Sequence, residues 1–429
     1  MKMWLEEEKT TYTASEDFKK NLEGGFRCVD KTELLIPVLD GEHEQFPMGT
    51  LVGDPLPGAS ELAARGHVTT GVQTIQLIEP NQPQVQANFA SGDRVLTVEV
   101  WYPAKIDADS PRAFYIDYMG RSDLANLKAF RMEGRAYRDA APDDSLGPAP
   151  VVVISHGYPG SRFLLLNLAE NLASKGYVVF SIGHTDNTYE DFLPQGSLES
   201  AIIHRSQDQR FVISQLPCLN SEGFLKGMLQ PENVGLIGFS MGGYGALRTI
   251  GARMSEAAIQ QFFSIRDYIQ EPEDFHGLKA VRAAILFAPA TFWFDEEKSG
   301  DIDIPTLWFC GSADETVHYP QVHSFWEKVT ASERRFITYE NCGHNIANNP
   351  APVEARAESW EIYKRWSDPV WDTWRLNNAN CHFATAFFGK TLRGLDMNSY
   401  LDEKKGFVDG GAAGIRVEKK EEKKLGTQL

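Results

Sequence analysis

Short continuous apolar runs, separated by segments of helical periodicity, dominate the chain from residue 150 onward. The apolar runs lie at residues 151–154, 177–182, 234–237, 281–287, 306–310 and 336–339. Uninterrupted runs of this length are typical of strands that helices cover on both faces. Helical segments alternate with them at 161–175 (where Ser161 caps the start and Gly176 follows the end), at 198–216 and after Met241. The alternation predicts an α/β fold with a mostly parallel central sheet and helices on both faces.

The chain ahead of this region is predicted to contribute an arm and an antiparallel edge. Residues 1–65 are mixed and polar, which favours an N-terminal arm with some helix that packs on the body or on a second subunit. Two extended segments follow at Val72–Leu77 and Val95–Tyr102, and the second alternates apolar with polar side chains. Period-two alternation is typical of a half-buried strand, so the two segments are predicted to pair antiparallel beside the parallel sheet.

Two insertions and a tail depart from a minimal α/β domain, which we place at residues 66–400. Residues 253–278 contain an amphipathic stretch, and residues 348–378 carry four tryptophans. Each insertion is interpreted either as a lid or pocket wall or as an ordinary packing helix. Residues 401–429 include a charge run at 416–424, which predicts a solvated, disordered tail.

Composition bounds the size of the core and the class of partner. With 429 residues, of which 42% are hydrophobic, the chain can bury a large core. Lys and Arg number 42 against 59 Asp and Glu, and the formal net charge of -17 disfavours nucleic acid and anionic membranes as partners. No apolar run approaches the ~18 residues of a membrane helix, and the N-terminus lacks the apolar core of a signal peptide. A soluble, cytoplasmic protein is therefore predicted.

The five cysteines argue against a disulfide framework or a structural zinc site, because their number is odd and no C-x-x-C occurs. The sequence still allows a single disulfide, either between Cys342 and Cys381 or between Cys28 and Cys218. Reduced thiols in an intracellular protein are the preferred interpretation.

The strongest chemical signal is the segment Gly238–Gly242, which matches the pattern G-x-S-x-G around Ser240. A serine in this pattern sits on a tight turn between a strand and a helix, and the flanking glycines remove side chains that would collide there. The apolar run at 234–237 predicts the strand, and the glycine-rich residues after Met241 open a helix. Ser240 is therefore the candidate nucleophile.

A serine hydroxyl needs a base to take its proton and a carboxylate to orient that base. His344 is the candidate base because it follows the apolar run at 336–339, where parallel sheets place their reactive loops. Asp314 is the candidate acid because it lies in the exit loop of the run at 306–310, and Glu315 stays open as its rival.

Acyl transfer through a serine also needs donors for the negative oxygen of the tetrahedral intermediate. The backbone N–H of Met241, the residue after the candidate nucleophile, is one predicted donor. The second is the N–H of Tyr158, in the loop after the run at 151–154, since Pro159 cannot donate. His156 in the same loop is interpreted as a structural hydrogen-bonding residue.

Two further polar groups need an interpretation. The segment His184–Asp186 follows the run at 177–182 and either edges the site or stabilises a loop through a hydrogen bond, of which the second is preferred. Asp208 and Arg210, on the next helix, are interpreted as a solvated or structural ion pair.

From about residue 70 to 345, the chain resembles the esterases grouped around platelet-activating factor acetylhydrolase, the bacterial cutinases and polyester hydrolases, and the dienelactone hydrolase-like proteins. The segments that carry the resemblance are Val98–Ala104, His156–Tyr158, Leu172–Val179, Gly238–Gly243, Ile304–Asp314 and Gly343–His344. The resemblance implies an α/β-hydrolase fold in which Ser240, Asp314 and His344 form a catalytic triad and Tyr158 lends its N–H to the oxyanion.

The resemblance also bears on the substrate. In the cutinase-like members an aromatic residue after the next strand lines the acyl site, which implies Phe292 and Trp293, together with Tyr158, as substrate-binding residues. True dienelactone hydrolases use a cysteine nucleophile, so Ser240 argues against that activity.

The expected activity is hydrolysis of a carboxylic ester through an acyl-enzyme intermediate, on a small-molecule or polymeric substrate. No metal or organic cofactor is expected, and no G-x-G-x-x-G follows the first strand of the parallel sheet. An amidase or peptidase with the same triad and a non-catalytic binding protein with this fold stay open as alternatives. Assembly into a homo-oligomer stays open as well.

Overall fold

The computed structural model of the chain describes residues 25–28, 50–51, 55–56, 58–119, 127–270, 279–295, 302–329, 333–408 and 410–421. Fourteen strands within these residues form one sheet. In chain order they are β1 Gly25–Cys28, β2 Thr50–Leu51, β3 Thr70–Gln84, β4 Ala90–Lys105, β5 Arg112–Tyr118, β6 Ala129–Arg138, β7 Ala141–Pro142, β8 Ala149–Ser155, β9 Val178–Gly183, β10 Leu229–Phe239, β11 Val281–Phe287, β12 Thr306–Gly311, β13 Arg334–Tyr339 and β14 Ile415–Lys420.

The α-helices in the described part of the chain lie mainly between or after the parallel strands. They are α1 Leu166–Ala173, α2 Ser197–Ser221, α3 Met241–Thr249, α4 Glu256–Gln261, α5 Tyr319–Lys328, α6 Val353–Glu358, α7 Trp360–Tyr363, α8 Thr373–Arg393 and α9 Asn398–Asp402. Short 3₁₀ helices occur at Glu61–Ala63, Val85–Ala87, Asp144–Leu146 and Phe263–Tyr268.

Six neighbouring strands form the parallel centre of the sheet, in the order β13, β12, β11, β10, β8, β9. Every side chain of β8, β9 and β12 is buried, as expected of strands that are covered on both faces. Helix α1 packs with α8, and α2 packs with α3, so the two pairs cover the two faces. The predicted α/β architecture, a mostly parallel sheet with helices on both faces, is confirmed.

An antiparallel extension continues the sheet beyond β9. Strands β3 and β4 include the two predicted extended segments and pair antiparallel, with Val72 opposite Trp101. They are not the edge, because β6, β5 and β2 lie beyond β3. Strand β6 was not predicted, since its inward positions include Gly134 and Ala136, which weaken the apolar alternation. Glycine is needed there because a Cβ on Gly134 would lie 2.4 Å from Oε1 of the buried Glu170.

The prediction of a disordered tail is wrong for residues 401–408 and 410–421. Residues 415–420 form β14, which pairs antiparallel with β13 and places Arg416 opposite Thr338. Ile415 is buried and Val417 packs on the core, whereas Arg416 and Lys419 are exposed. The charge run is therefore the solvent side of an edge strand, where charged side chains discourage pairing with another chain.

Several local predictions need correction. Helix α1 begins after Leu165, and Ser161 does not cap it; the hydroxyl of Ser161 instead donates to Asp117 at 2.6 Å. Cys342 and Cys381 carry free thiols, so the bridge left open between them is not formed. The side chain of Cys28 lies outside the described residues.

Parts of the N-terminal arm are described, and they contact the body. The N–H of Glu61 donates to the carbonyl of Gly406 at 2.7 Å, and the half-buried Lys175 donates to the carbonyl of Leu62 at 2.6 Å. No helix in the described residues is long and apolar enough to cross a membrane.

Candidate active site

Ser240 occupies a tight turn between β10 and α3. Its φ of 54° is in the left-handed region, which non-glycine residues rarely adopt. A Cβ on Gly238 would lie 2.4 Å from the carbonyl oxygen of Gly242, and a Cβ on Gly242 would lie 2.1 Å from the carbonyl oxygen of Ser155. Larger residues would therefore force the turn apart, which explains why the sequence has glycine on both sides of the serine.

His344 and Asp314 converge on this serine from two later loops. Nε2 of His344 lies 3.0 Å from Oγ of Ser240, and Nδ1 lies 2.8 Å from Oδ2 of Asp314. Because a carboxylate only accepts, Nδ1 carries the proton and Nε2 accepts from the serine hydroxyl. The three predicted residues thus form one continuous hydrogen-bonded chain.

The loop after β12 fixes the Asp314 carboxylate in place. Its Oδ1 accepts hydrogen bonds from the N–H groups of Thr316 (2.9 Å) and Val317 (3.1 Å), which leaves Oδ2 for His344. Asp314 is buried, whereas its rival Glu315 is exposed. Burial keeps the pKa of the neighbouring Cys310 thiol well above its usual range, so that this thiol stays protonated beside the carboxylate.

The loop that carries His344 is held by the insertion at 348–378. Oδ2 of Asp368 accepts from the N–H of Gly343 at 2.7 Å, and Oδ1 accepts from the N–H of Trp371 at 2.7 Å. Asn345 donates to the carbonyl of Lys364 at 2.9 Å. The insertion therefore braces the histidine loop directly.

The two predicted oxyanion donors flank Ser240. Met241 is the first residue of α3, so its N–H has no acceptor within the helix. Gly157 approaches the serine closely, since a Cβ on it would lie 3.5 Å from Cβ of Ser240, and Tyr158 follows it directly. In the described part of the chain, the N–H of Tyr158 donates to no other group.

A cleft of about 740 Å³ opens above Ser240. Five aromatic side chains line it: Tyr158, Tyr189, Phe192, Phe239 and Trp360. The insertion at 348–378 supplies one side, including Trp360, which is 66% exposed, and the cations Lys364 and Arg365. The described residues of the insertion at 253–278 are not among those that line the cleft.

The structure places the predicted pocket residues Phe292 and Trp293 away from this cleft, outside its lining. Trp293 packs edge-to-face on Phe262 and Tyr244, with ring centroids 5.6 and 5.5 Å apart. Phe292 packs on Trp293. Trp293 therefore serves the contact between the 253–278 insertion and helix α3, and Phe292 also packs edge-to-face on His318. Tyr158 lines the cleft as predicted.

A second hydrogen-bonded Ser–His–Asp chain lies behind the site and is fully buried. Nε2 of His184 lies 2.7 Å from Oγ of Ser155, and its Nδ1 lies 2.7 Å from Oδ2 of Asp208. Asp208 also accepts from Nε and Nη2 of Arg94, at 2.6 and 2.9 Å. The structural interpretation of His184 fits these contacts, but the pairing of Asp208 with Arg210 is wrong, since Arg94 takes that place.

Sequence reasoning also missed Arg205, which holds the loop of Tyr158 from behind. A signal was present. The segment His204–Gln209 places six polar residues in succession, and all six are buried within α2. Six consecutive buried polar side chains must find partners inside the fold, so such a run indicates an internal hydrogen-bond network.

The described residues contain no group of three or more His, Cys, Asp or Glu side chains that could hold a metal ion.

Comparisons with known proteins identify the family of the chain. A model of the dienelactone hydrolase family matches residues 135–370, more than half of the chain, and this range includes Ser240, Asp314 and His344. Among solved structures, a ferulic acid esterase from Streptomyces cinnamoneus matches with a TM-score of 0.56 and 21% identity, over 81% of this chain and 94% of that one. A search of curated proteins gave no significant match. The chain thus belongs to the dienelactone hydrolase family, has the α/β-hydrolase fold, and is a carboxylic ester hydrolase.

Proposed function

We propose that the protein is a serine esterase in which Ser240 is the nucleophile, His344 the general base and Asp314 the residue that orients it. The observation that carries this proposal is the continuous hydrogen-bonded chain from Ser240 through His344 to Asp314, at 3.0 and 2.8 Å. The positive φ of Ser240 supports it, because a strained turn presents the hydroxyl at the floor of the cleft.

The reaction proceeds in two acyl-transfer steps. His344 takes the hydroxyl proton of Ser240 as Oγ attacks the ester carbonyl, and the N–H groups of Met241 and Tyr158 bind the oxyanion. The C–O bond to the alcohol then breaks, and the alcohol leaves with the proton from His344. Water, deprotonated by His344, then attacks the acyl carbonyl; the bond from this carbon to Oγ of Ser240 breaks, Oγ takes the proton back from His344, and the acid is released.

We further propose esters with a bulky or aromatic acyl group as the substrate class. Five aromatic side chains surround a cleft of about 740 Å³, and flat aromatic groups pack well against such walls. The ferulic acid esterase among the structural matches is a protein of the same fold whose name denotes an aromatic acid ester. Membership of the platelet-activating factor acetylhydrolase and cutinase group stays a prediction.

A panel of 4-nitrophenyl esters tests both parts, with acetate, butyrate, octanoate, benzoate and 4-hydroxycinnamate as acyl groups. We expect turnover throughout, with kcat/KM higher for the two aromatic acyl groups than for acetate. A fluorophosphonate probe should label the wild-type protein at Ser240 and leave Ser240→Ala unlabelled. Absence of labelling would refute the nucleophile assignment, and a preference for acetate would refute the aromatic substrate class alone.

A further inference from the structure

A buried arginine that the proposed triad does not use lies directly behind the loop of Tyr158. Arg205, on α2, is fully buried. Its Nη1 donates to the carbonyl of His156 at 2.6 Å, and its Nη2 donates to the carbonyl of Gly157 at 2.9 Å. Its Nε donates to Oδ1 of Asn187 at 3.1 Å. All three guanidinium nitrogens therefore engage this loop or the loop beside it.

The carbonyl of Gly157 has a second donor on its other side. The N–H of His184 donates to Nε2 of His156 at 3.2 Å, so Nε2 is an acceptor and the ring proton of neutral His156 lies on Nδ1. Nδ1 lies 2.7 Å from the Gly157 carbonyl oxygen and donates to it. Burial lowers the pKa of His156 well below its usual range, which keeps the ring neutral. Two donors thus fix the orientation of one carbonyl.

The Gly157 carbonyl and the Tyr158 N–H belong to the same peptide unit. This peptide is trans, and in a trans peptide the C=O and N–H bonds point in opposite directions. Donors that hold the carbonyl from behind therefore aim the N–H forward, toward the side on which Gly157 approaches Ser240.

We propose, on the basis of the esterase function above, that Arg205 is a positioning residue for the oxyanion: it fixes the Gly157–Tyr158 peptide and polarises its N–H. A preorganised donor is effective because it costs no reorganisation when negative charge develops. Arg205 acts through this peptide and does not touch the substrate.

The charge of Arg205 supports the role. Its hydrogen-bond partners are two backbone carbonyls and an amide, and no carboxylate among the described residues contacts it directly. Burial lowers its pKa only to about 9, so the guanidinium is charged at neutral pH. Asp208 and Asp191 interact with this cation without a direct contact. A cation hydrogen-bonded to the carbonyl of a peptide draws electron density from the N–H, which makes that N–H a stronger donor to an anion.

Helix α3 is shaped to admit the arginine. A Cβ on Gly245 would lie 2.9 Å from Cβ of Arg205, so any larger residue at position 245 would push α2 away from the loop. The glycine that follows the nucleophile by five positions therefore lets the guanidinium reach the two carbonyls.

The test compares Arg205→Met and Arg205→Lys with wild type, by steady-state kinetics on 4-nitrophenyl butyrate and by inhibition with a trifluoromethyl ketone. This inhibitor forms a hemiketal with the serine that carries an oxyanion. For Arg205→Met we expect kcat to fall about 100-fold with KM within threefold, and the inhibition constant to rise by about the same factor as kcat falls. Arg205→Lys keeps a charged donor, so its kcat and inhibition constant should lie between those of wild type and Arg205→Met.

Arg334→Met is the matched control. Arg334 is also buried and donates to two consecutive carbonyls, those of Trp326 and Glu327, but at the end of β13 remote from His344. It should lower the melting temperature and leave kcat within twofold.

Three outcomes would overturn the positioning role. The first is an Arg205→Met enzyme, folded by circular dichroism, whose kcat stays within twofold of wild type. The second is a fall in kcat of Arg205→Met without weaker inhibition by the ketone. The third is an equal fall in kcat of Arg334→Met. Full activity of Ser240→Ala would instead refute the esterase mechanism itself, so the two failures are distinguishable.

Discussion

Two Ser–His–Asp chains lie within one fold, and their hydrogen-bond distances are nearly the same. In the cleft the two contacts of His344 are 3.0 Å to Ser240 and 2.8 Å to Asp314, and behind it both contacts of His184 are 2.7 Å. Distances alone would even favour the buried chain. Their surroundings differ in three ways that decide which chain can react.

The first difference is the presentation of the serine. Ser240 sits at positive φ at the start of a helix, at the floor of a cleft, and Gly157 and the loop of Tyr158 approach it closely. Ser155 is the last residue of β8 and is fully buried. A substrate carbonyl can reach the first hydroxyl only.

The other two differences concern access for the histidine and the charge around the carboxylate. The side chain of His344 is 18% exposed, whereas that of His184 is completely buried. Arg94 and His184 hold the pKa of Asp208 far below its usual range, although burial opposes them. Burial, reinforced by Arg205, lowers the pKa of His184 to about 3, so it does not accept a proton at neutral pH. A hydrogen-bonded Ser–His–Asp chain is thus not by itself sufficient for reaction.

Removal of each serine gives the largest expected contrast. Ser240→Ala should reduce kcat by about 10⁶-fold with the fold intact, because no other group forms the acyl-enzyme. Ser155→Ala should leave kcat within about twofold but cost about 1–3 kcal/mol of stability, since Nε2 of His184 loses its donor. Stopped-flow kinetics and urea denaturation measure the two effects. A large loss of turnover in Ser155→Ala would break the distinction between the chains.

The two carboxylates should separate activity from stability. Asp314→Asn should lower kcat by about 10⁴-fold, because an amide favours the wrong tautomer of His344. Asp208→Asn should leave the cation of Arg94 without its strongest partner and destabilise the fold by about 3–5 kcal/mol. Kinetics on the folded fraction should show the loss of kcat mainly in Asp314→Asn. Denaturation curves should show the loss of stability mainly in Asp208→Asn. Equal destabilisation by both variants would contradict it.

The pH dependence of stability should report on the buried histidine. The pKa of His184 is about 3 in the folded protein and about 6.5 in the unfolded chain, so between these pH values only the unfolded chain binds a proton at this residue. The free energy of unfolding therefore falls as pH decreases from 6.5 toward 3. His184→Gln removes this proton, and its slope should be smaller by up to ~1.4 kcal/mol per pH unit. Denaturation between pH 4 and 7 measures it, and parallel slopes would refute the shift.

The smallest expected effect concerns access to the cleft. Trp360→Ala removes an exposed aromatic wall from the 348–378 insertion. KM should rise a few-fold for a 4-nitrophenyl ester of an aromatic acid and stay unchanged for the acetate, since only the larger acyl group reaches the tryptophan. Val353→Ala, another exposed residue of this insertion, which does not line the cleft, is the control. An equal change in KM for both esters would argue against a wall at this position.

Local patterns predicted Ser240, Asp314 and His344, which the structure brings into one hydrogen-bonded chain, because each predicted role is tied to the end of a strand. Continuous apolar runs locate the parallel strands, and in such a sheet the loops after those strands meet at one edge. The order of the three residues along the chain then leaves few choices, and Glu315 was the only close rival for the acid.

The parts that could not be predicted depend on contacts between distant segments. Arg94 and Asp208 are 114 positions apart, and nothing local to either residue indicates the other. The predicted pocket residues Phe292 and Trp293 follow a strand end, as expected, but Trp293 packs on Phe262 and Phe292 packs on Trp293. Strand β14 was missed because an edge strand exposes its charged side chains and so has the composition of a solvated tail.

Because β14 is the last strand to be synthesised, the loop that carries His344 gains its support from this strand only at the end of translation. Residues 415–420 are translated after every other strand of the sheet, yet they pair with β13, which leads into the loop of His344. Arg416 donates to the Glu340 carboxylate at 2.9 Å, and the carbonyl of Gly414, just before the strand, accepts from the N–H of Glu340 at 2.8 Å. A nascent or clipped chain that lacks this strand would have an open β13 edge, prone to association with other chains, beside an unsupported catalytic loop.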